Sequence, residues 1–277
     1  MSKLLFFDID GTLVDFGATE MIASTIEALD KARANGHKAF LCTGRSYNQI
    51  YPFLLDYGFD GIVAAGGAYV EYQGKVLYHR MFGEKLMDLV VEKLARPDTA
   101  MIFQYKDGSF TKESWGQKFV DIFKNQMNID LIQDNPAFSD ITYEEDLDTM
   151  ARRHSDVESV IYCNSPFEAD EIQDMIGGSL RVMPASYKVP DPYSGEIIMS
   201  DINKAKGIEV VMQALGVKKE DTIGFGDGAN DVEMLNFVGV GVAMGNSQQV
   251  AKDAADMVTD DLVDDGIYKA MRTLKLF

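Results

Sequence analysis

The chain has 277 residues, 46% of them apolar, and a formal net charge of -18 at pH 7. This length suggests one large domain or two medium ones. The strong negative charge argues against nonspecific binding to nucleic acid or to anionic membranes, because both need basic patches, and it requires any anionic substrate to be attracted by a few local cations.

The first predicted element is a buried strand over the apolar run 4–7, and it leads into Asp8-Ile9-Asp10-Gly11-Thr12. Side chains two residues apart on a strand share a face, so Asp8 and Asp10 are expected to point the same way at its end. Neighbouring carboxylates repel unless a cation lies between them or one stays protonated. Gly11 and Thr12 predict a tight turn whose backbone N–H groups face an anion. The same five residues also fit a strand that simply ends in a polar turn.

The next elements alternate between helices and strands. A helix is predicted after Ser24, which would form a capping box with Glu27. A buried strand at 39–42 ends in Thr43-Gly44-Arg45, and a helix over 47–57 leads to a third apolar strand near 62–65. This order predicts a parallel, doubly wound sheet, in which ligands bind beyond the carboxyl ends of the strands.

From about residue 82 this alternation changes. The following strands and helices predict a smaller α+β layer inserted into the first domain. The predicted organisation is therefore a core made of 1–81 plus 188–277, and an inserted domain made of 82–187.

A second group of polar residues follows in the last part of the chain. Lys204 lies in the first turn of a predicted helix, where a cation opposes the helix dipole, so a role in helix stability is not expected. A buried strand then ends in Gly226-Asp227-Gly228-Ala229-Asn230-Asp231. The glycine spacing resembles a dinucleotide fingerprint, but it lies late in the chain and holds two acids where a pyrophosphate would approach. Asp227 and Asp231 instead predict a second carboxylate pair.

These strand ends together indicate a metal-assisted phosphate site. Oxygen donors without His or Cys favour Mg²⁺ over zinc. A Thr hydroxyl, a Lys and backbone N–H groups would complete a cradle for a phosphate. A carboxylate beside Mg²⁺ can attack phosphorus to form an aspartyl-phosphate, and Asp10 could protonate the leaving alcohol and later activate water.

The motifs around Asp8, Thr43, Lys204 and Asp227, in this order, resemble those of the haloacid dehalogenase superfamily of phosphatases. The insertion resembles the type IIB α/β cap of the Cof-like branch. The resemblance implies a Rossmann-like parallel-sheet core with an inserted α+β cap that selects the substrate. It also implies Mg²⁺-dependent hydrolysis of small phosphorylated metabolites, such as sugar phosphates.

The resemblance assigns a role to each motif residue. Asp8 would be the nucleophile and a Mg²⁺ ligand, and Asp10 the general acid and base with its backbone carbonyl on the metal. Thr43 would hydrogen-bond the phosphoryl oxygens, and Lys204 would neutralise them. The remaining assignments are Asp227 as a direct metal ligand, Asp231 as a ligand mainly through water, Asn230 beside the phosphate, Arg45 facing the substrate, and Gly11 and Gly44 in the phosphate cradle.

One segment departs from the resemblance. Many relatives carry Asn-Gly-Ala after the third strand, where this chain has Gly66-Gly67-Ala68. Any contact made by that Asn is absent here, which affects the geometry around the leaving group rather than the chemistry.

Alternative functions predict different observations. A phosphomutase of the same superfamily would return the phosphate to a sugar, and a non-catalytic binding module would not need Asp10. Two cysteines far apart, Cys42 and Cys163, and the lack of a signal peptide or a long apolar run predict a cytoplasmic protein without disulfides. We expect a monomer or a small homo-oligomer that binds neither nucleic acid nor membrane.

Overall fold

The computed structural model describes residues 2–15, 17–116, 118, 119, 121, 141–144, 146, 154–184 and 191–277. The chain forms two compact units. The first unit comprises Met1–Arg45, Ile50–His79 and Asn203–Phe277, and the second comprises Ser46–Gln49 and Arg80–Ile202.

The elements with defined bounds are fourteen strands and eight α-helices within these described ranges. The strands are β1 (Leu4–Phe7), β2 (Lys38–Cys42), β3 (Gly61–Ala64), β4 (Tyr69–Tyr72), β5 (Lys75–His79), β6 (Ala100–Tyr105), β7 (Gly108–Thr111), β8 (Ile141–Tyr143), β9 (Ser159–Cys163), β10 (Leu180–Pro184), β11 (Gly195–Met199), β12 (Thr222–Gly226), β13 (Val240–Ala243) and β14 (Met257–Val258). The helices are α1 (Ala23–Ala34), α2 (Pro52–Tyr57), α3 (Gly83–Leu94), α4 (Ala169–Ile176), α5 (Lys204–Leu215), α6 (Val232–Phe237), α7 (Gln249–Ala254) and α8 (Gly266–Thr273).

The first unit is built on an eight-stranded sheet in the order β14-β13-β12-β1-β2-β3-β4-β5. Neighbouring strands from β14 to β3 are parallel, and β4 and β5 extend the sheet in antiparallel fashion. All four residues of the central strand β1 are buried, which explains its continuous apolar sequence. The predicted parallel-sheet core is confirmed.

The pairing register places the ends of three strands level with one another. Phe7 of β1 pairs with Phe225 of β12 on one side and with Leu41 of β2 on the other. Asp8, Thr43 and Asp227 come just after these strand positions, so all three leave the sheet at the same edge.

Helix α1 differs from its prediction at its first turn. It begins at Ala23 with Ile22 as the N-cap, and no side chain caps it. Ser24 therefore lies inside the helix, and within the described part of the chain its buried hydroxyl has no hydrogen-bond partner. The predicted capping box is wrong because the helix begins earlier than Ser24 could cap it.

The second unit is built on a six-stranded sheet in the order β10-β11-β9-β6-β7-β8. Neighbouring strands are antiparallel except β7 and β8. Helices α3 and α4 contact each other, α4 packs against β10, and each helix buries the apolar residues of one face. This mixture of elements agrees with the predicted α+β layer.

Strand β11 shifts the second boundary of this unit. The sequence placed 188–277 in the core, but β11 pairs with β9 and β10, so the second unit extends to Ile202. A short apolar strand can satisfy its backbone groups in either sheet, and its sequence alone does not identify the partner.

Both cysteines, Cys42 and Cys163, are buried free thiols. Burial raises the pKa of the Cys163 thiol to about 12. Within the described ranges, every helix is too short or too polar to cross a bilayer.

Candidate active site

Lys204, the first residue of α5, is 2% exposed. Its Nζ donates hydrogen bonds to Asp8 Oδ1 and, at 2.5 Å, to Asp231 Oδ1. Burial acts to lower the pKa of Lys204, but the negative charges of Asp231 and then Asp8 outweigh burial and raise this pKa. The ammonium therefore stays charged. By contrast, the side chain of Lys206 is exposed and pairs with Glu209 at 2.7 Å.

The position of Lys204 depends on a close approach that the sequence did not reveal. Gly67 has φ +106°, and a Cβ atom there would overlap the backbone carbonyl oxygen of Asn203. Asn203 is the N-cap of α5, with its side chain accepting the N–H of Lys206 at 2.8 Å. The Gly66-Gly67-Ala68 segment thus supports the helix end that carries Lys204.

Three carboxylates meet beside this ammonium. Asp8, Asp227 and Asp231 each place an oxygen within 4.8 Å of the others. Asp231 Oδ2 accepts the backbone N–H groups of Asp227 at 3.0 Å and of Gly228 at 2.9 Å. Thr12 Oγ1 donates to Asp227 Oδ1 at 3.0 Å. The sequence predicted only a turn and a backbone donor at Thr12 and did not predict this side-chain hydrogen bond, although the place of Thr12 in the first motif is a signal for it.

The charges of this carboxylate cluster are not balanced. Burial, and next the charge of Asp231, raise the pKa of Asp8 well above its usual range, although Lys204 acts in the opposite direction. Burial and then Asp231 also raise the pKa of Asp227 to about 6. Three carboxylates and one ammonium leave a formal charge of -2 when all are ionised. The charge and the oxygen donors fit a divalent cation such as Mg²⁺.

Asp10 does not join the cluster of three carboxylates. Its side chain forms a bidentate pair with Arg45, with Nε at 2.6 Å from Oδ2 and Nη2 at 2.8 Å from Oδ1. Asp8 and Asp10 therefore pair with different cations, although the charge of Asp10 also contributes to raising the pKa of Asp8. The alternation of a strand does not extend past Phe7, because β1 ends there and the chain turns at Gly11 with φ +87°.

The prediction that the backbone N–H groups of Gly11 and Thr12 face an anion is wrong. The N–H of Gly11 donates to Val14 O at 2.8 Å, and that of Thr12 donates to Ile9 O at 3.3 Å, so neither is directed at an anion. Gly11 is required for a different reason, because a Cβ atom there would overlap the carboxylate of Asp227.

The second motif lies beside Asn230. Thr43 is 1% exposed, and its Oγ1 accepts the N–H of Arg45 at 3.1 Å. A Cβ atom on Gly44 would lie 3.4 Å from Asn230 Nδ2. Within the described part of the chain, no hydrogen-bond acceptor is present for the N–H of Gly44. Gly44 and the exposed Asn230 are thus available to a ligand.

The fold and these motifs match known proteins over nearly the whole chain. The family described as haloacid dehalogenase-like hydrolase matches residues 5–271. YkrA of Bacillus subtilis is 28% identical over 277 residues, covering 99% of this chain and 98% of YkrA. The pyridoxal phosphate phosphatase YbhA of Escherichia coli is 25% identical over 288 residues, covering 96% of each chain.

A solved structure gives the same result. The subclass IIB sugar phosphatase BT4131 of the same superfamily has a TM-score of 0.78 and 27% identity, and the match covers 100% of each chain. The chain belongs to the haloacid dehalogenase-like hydrolase family, and the predicted superfamily, fold class and phosphatase class are confirmed.

Proposed function

We propose that this phosphatase is Mg²⁺-dependent and hydrolyses small phosphorylated metabolites through an aspartyl-phosphate on Asp8. The observation that carries the proposal is the buried contact of Lys204 with Asp8, beside Asp227 and Asp231. One lysine does not offset the charge of three adjacent carboxylates. The site can therefore bind a dianionic phosphoryl group only if a cation is also present.

The residues present can hold that cation. Asp8 and Asp227 would bind Mg²⁺ through their carboxylates, Asp231 through water, and Asp10 through its backbone carbonyl. When bound, the ion would neutralise negative charge on the phosphoryl oxygens and on the carboxylates.

The chain's own residues would carry the chemistry. A carboxylate oxygen of Asp8 forms a bond to phosphorus while the bond from phosphorus to the leaving oxygen breaks. Asp10, which must first take up a proton because its carboxylate is ion-paired with Arg45, gives that proton to the leaving oxygen. Asp10 then takes a proton from water, the water oxygen bonds to phosphorus, and the bond to Asp8 breaks to release inorganic phosphate. Lys204, Thr43, Gly44 and Asn230 would bind the phosphoryl oxygens.

The substrate class rests on the relatives. YbhA is named for a phosphorylated cofactor and BT4131 for sugar phosphates, so a small phosphorylated metabolite, with sugar phosphates first, is the substrate we propose. Substrate selection by the inserted unit, a monomeric or small homo-oligomeric state, and a cytoplasmic location stay predictions.

The test is phosphate release from sugar phosphates, nucleotides and cofactor phosphates, with Mg²⁺ and with EDTA. Wild type is compared with Asp8→Asn and with the control Asp56→Asn, which removes an exposed carboxylate on α2. We expect Mg²⁺-dependent release that is lost only in Asp8→Asn. Absence of release from every compound would contradict the proposal, and formation of an isomeric sugar phosphate instead would indicate a phosphomutase.

A further inference from the structure

Arg45 is held in place from two sides. Its side chain is only 9% exposed, and its Nε and Nη2 form the bidentate pair with Asp10. On the other side the centre of the guanidinium lies 4.3 Å from the centroid of the Tyr51 ring. Nη2 also donates a hydrogen bond to Tyr51 Oη at 2.9 Å. Stacking and hydrogen bonding to one tyrosine together fix the plane of the guanidinium, which sets the direction of its fork.

Tyr51 is itself rigid. The residue is 3% exposed, precedes Pro52 at the start of α2, and stacks on Phe53 with ring centroids 5.4 Å apart. Its Oη accepts the backbone N–H of Gly17 at 3.0 Å. Because the Tyr51 side chain is packed between these partners, its ring has little freedom to change rotamer.

The hydrogen bonds around Tyr51 Oη leave one direction for its proton. A phenolic oxygen accepts at most two hydrogen bonds and donates one. Both acceptor positions are used by Gly17 and Arg45, and the described acceptor for the hydroxyl proton is Asp10 Oδ1 at 3.4 Å. Asp10 is therefore held by Tyr51 twice, directly through this weak hydrogen bond and indirectly through Arg45.

From this geometry we infer that Tyr51 is a positioning residue, which orients the Asp10 carboxyl for proton transfer to the leaving oxygen of the substrate. The inference rests on the proposed function, because it concerns the step assigned there to Asp10. Proton transfer depends steeply on the position of the donor, so a carboxyl that can rotate freely would protonate the leaving oxygen less often. Tyr51 itself would touch neither the phosphoryl group nor the metal.

The consequence depends on the leaving group. An alkoxide leaving from a sugar phosphate is strongly basic and needs a proton as its bond to phosphorus breaks. The phenolate leaving from p-nitrophenyl phosphate is weakly basic and can depart without one. The value of kcat/KM reports steps up to formation of the aspartyl-phosphate, so the ratio of kcat/KM for these two substrates isolates the positioning of Asp10 as an acid.

The chain contains a matched control. Tyr57 Oη donates to Asp30 Oδ1 at 2.8 Å, and the guanidinium of Arg33 lies 5.7 Å from the centroid of the Tyr57 ring. This is a second Tyr–Arg–Asp group of the first unit, formed by residues outside the four motifs. Tyr57→Phe therefore removes a comparable hydroxyl without affecting Asp10.

The experiment compares wild type, Tyr51→Phe, Arg45→Lys and Tyr57→Phe on the best alkyl phosphate of the panel and on p-nitrophenyl phosphate, at saturating Mg²⁺. We expect Tyr51→Phe to lower kcat/KM for the alkyl phosphate by about tenfold, a part of the 10² to 10⁴ that a general acid supplies, and to change it less than about twofold for p-nitrophenyl phosphate. Arg45→Lys loses the bidentate contact with Asp10, so it should lower the ratio of kcat/KM for the alkyl phosphate to kcat/KM for p-nitrophenyl phosphate. Tyr57→Phe should leave this ratio unchanged.

Several outcomes would overturn the inference. These are an equal fall of kcat/KM for both substrates, no change in Tyr51→Phe, or the same change of the ratio in Tyr57→Phe. Failure of the proposed function is distinct, because wild type itself would then release no phosphate from either substrate. A thermal unfolding midpoint of Tyr51→Phe close to that of wild type confirms that the ratio reports positioning and not loss of fold.

Discussion

The two units bury polar groups in different ways. At the carboxyl ends of β1 and β12, the first unit gathers Asp8, Asp227 and Asp231 around the single ammonium of Lys204. In the second unit, Ser159 Oγ donates to Gln104 Oε1 at 2.7 Å, and Glu196 lies on β11, which pairs with the strand that carries Ser159. Burial is the main cause that raises the pKa of Glu196, which favours its neutral form.

The difference indicates what each polar group is for. A neutral chain of hydrogen bonds satisfies its members inside one sheet and needs no partner. Like charges crowded at low dielectric are unfavourable to the fold by themselves, and they are explained by a ligand of opposite charge. By this criterion we expect the hydrogen-bond chain of the second unit to be structural and the carboxylate cluster of the first unit to be functional. The predictions below test that contrast.

Lys204→Met should have the largest effect. It removes the only described cation bonded to two buried carboxylates, so we expect the free energy of unfolding to fall by about 3–5 kcal/mol. Phosphate release should fall at least about a hundredfold. The control Lys206→Met, two residues along α5 and exposed, should change stability by less than about 0.5 kcal/mol. Similar losses in the two variants, measured by chemical unfolding and by phosphate release, would remove the case for a special role of Lys204.

Gly67→Ala should have the next largest effect. The backbone at residue 67 has a positive φ, and an added Cβ would overlap the Asn203 carbonyl oxygen. We expect a loss of about 2–4 kcal/mol together with reduced kcat, since the end of α5 must move with Lys204. Gly74→Ala is the control, as Gly74 has φ +75° with no atom within 4 Å of its would-be Cβ. It should lose only the backbone strain of about 1–2 kcal/mol and keep its activity. If Gly74→Ala matches Gly67→Ala in both unfolding free energy and kcat, the contact between Gly67 and Asn203 does not matter for the site.

Addition of Mg²⁺ should raise the thermal unfolding midpoint, and the rise should depend on pH. The raised pKa values of Asp8 and of Asp227, the latter about 6, mean that the folded metal-free protein holds these protons more tightly than the unfolded chain does. Stability without metal therefore falls as the pH rises from about 4 through 6, whereas Mg²⁺ competes with those protons and stabilises more at pH 7.5 than at pH 5.

At a hundredfold excess over its dissociation constant, Mg²⁺ should contribute about 2.7 kcal/mol, or about 5 °C. Asp227→Asn should remove most of this increment. A rise of equal size at both pH values, or one retained in Asp227→Asn, would place the bound ion elsewhere.

Glu196→Gln should have the smallest effect, and its sign is opposite to that of Lys204→Met. The pKa of Glu196 is raised above 4.5, so wild type loses stability as the pH rises above that value. Gln stays neutral at every pH, so the variant should be more stable than wild type at pH 8 and equal to it at pH 4. Urea midpoints at both pH values measure this difference, with the exposed Glu84→Gln as control. A variant less stable than wild type at pH 8 would show that Glu196 acts as a charged group.

The local chemistry of the site was predictable, but its detailed contacts were not. Asp8, Thr43 and Asp227 follow buried strands of a parallel sheet, and that arrangement brings them to one edge whatever the loops do. The pairing of Asp10 with Arg45 was not predictable, since the rule of alternating faces holds only within a strand and β1 ends at Phe7. The prediction for the N–H groups of Gly11 and Thr12 failed for a similar reason. These groups donate within the turn, to the carbonyl oxygens of Val14 and Ile9.

By itself, the sequence determined the family, the alternation of strands and helices that forms the parallel sheet, and the residues of the motifs, because apolar runs and strand-end polar residues act over short distances along the chain. Only the tertiary structure decided that β11 joins the second sheet, that Gly67 contacts the start of α5, and that Tyr51 lies against Arg45. Each of these contacts joins segments whose separation along the chain carries no pattern, and each is selected by the packing of the whole unit.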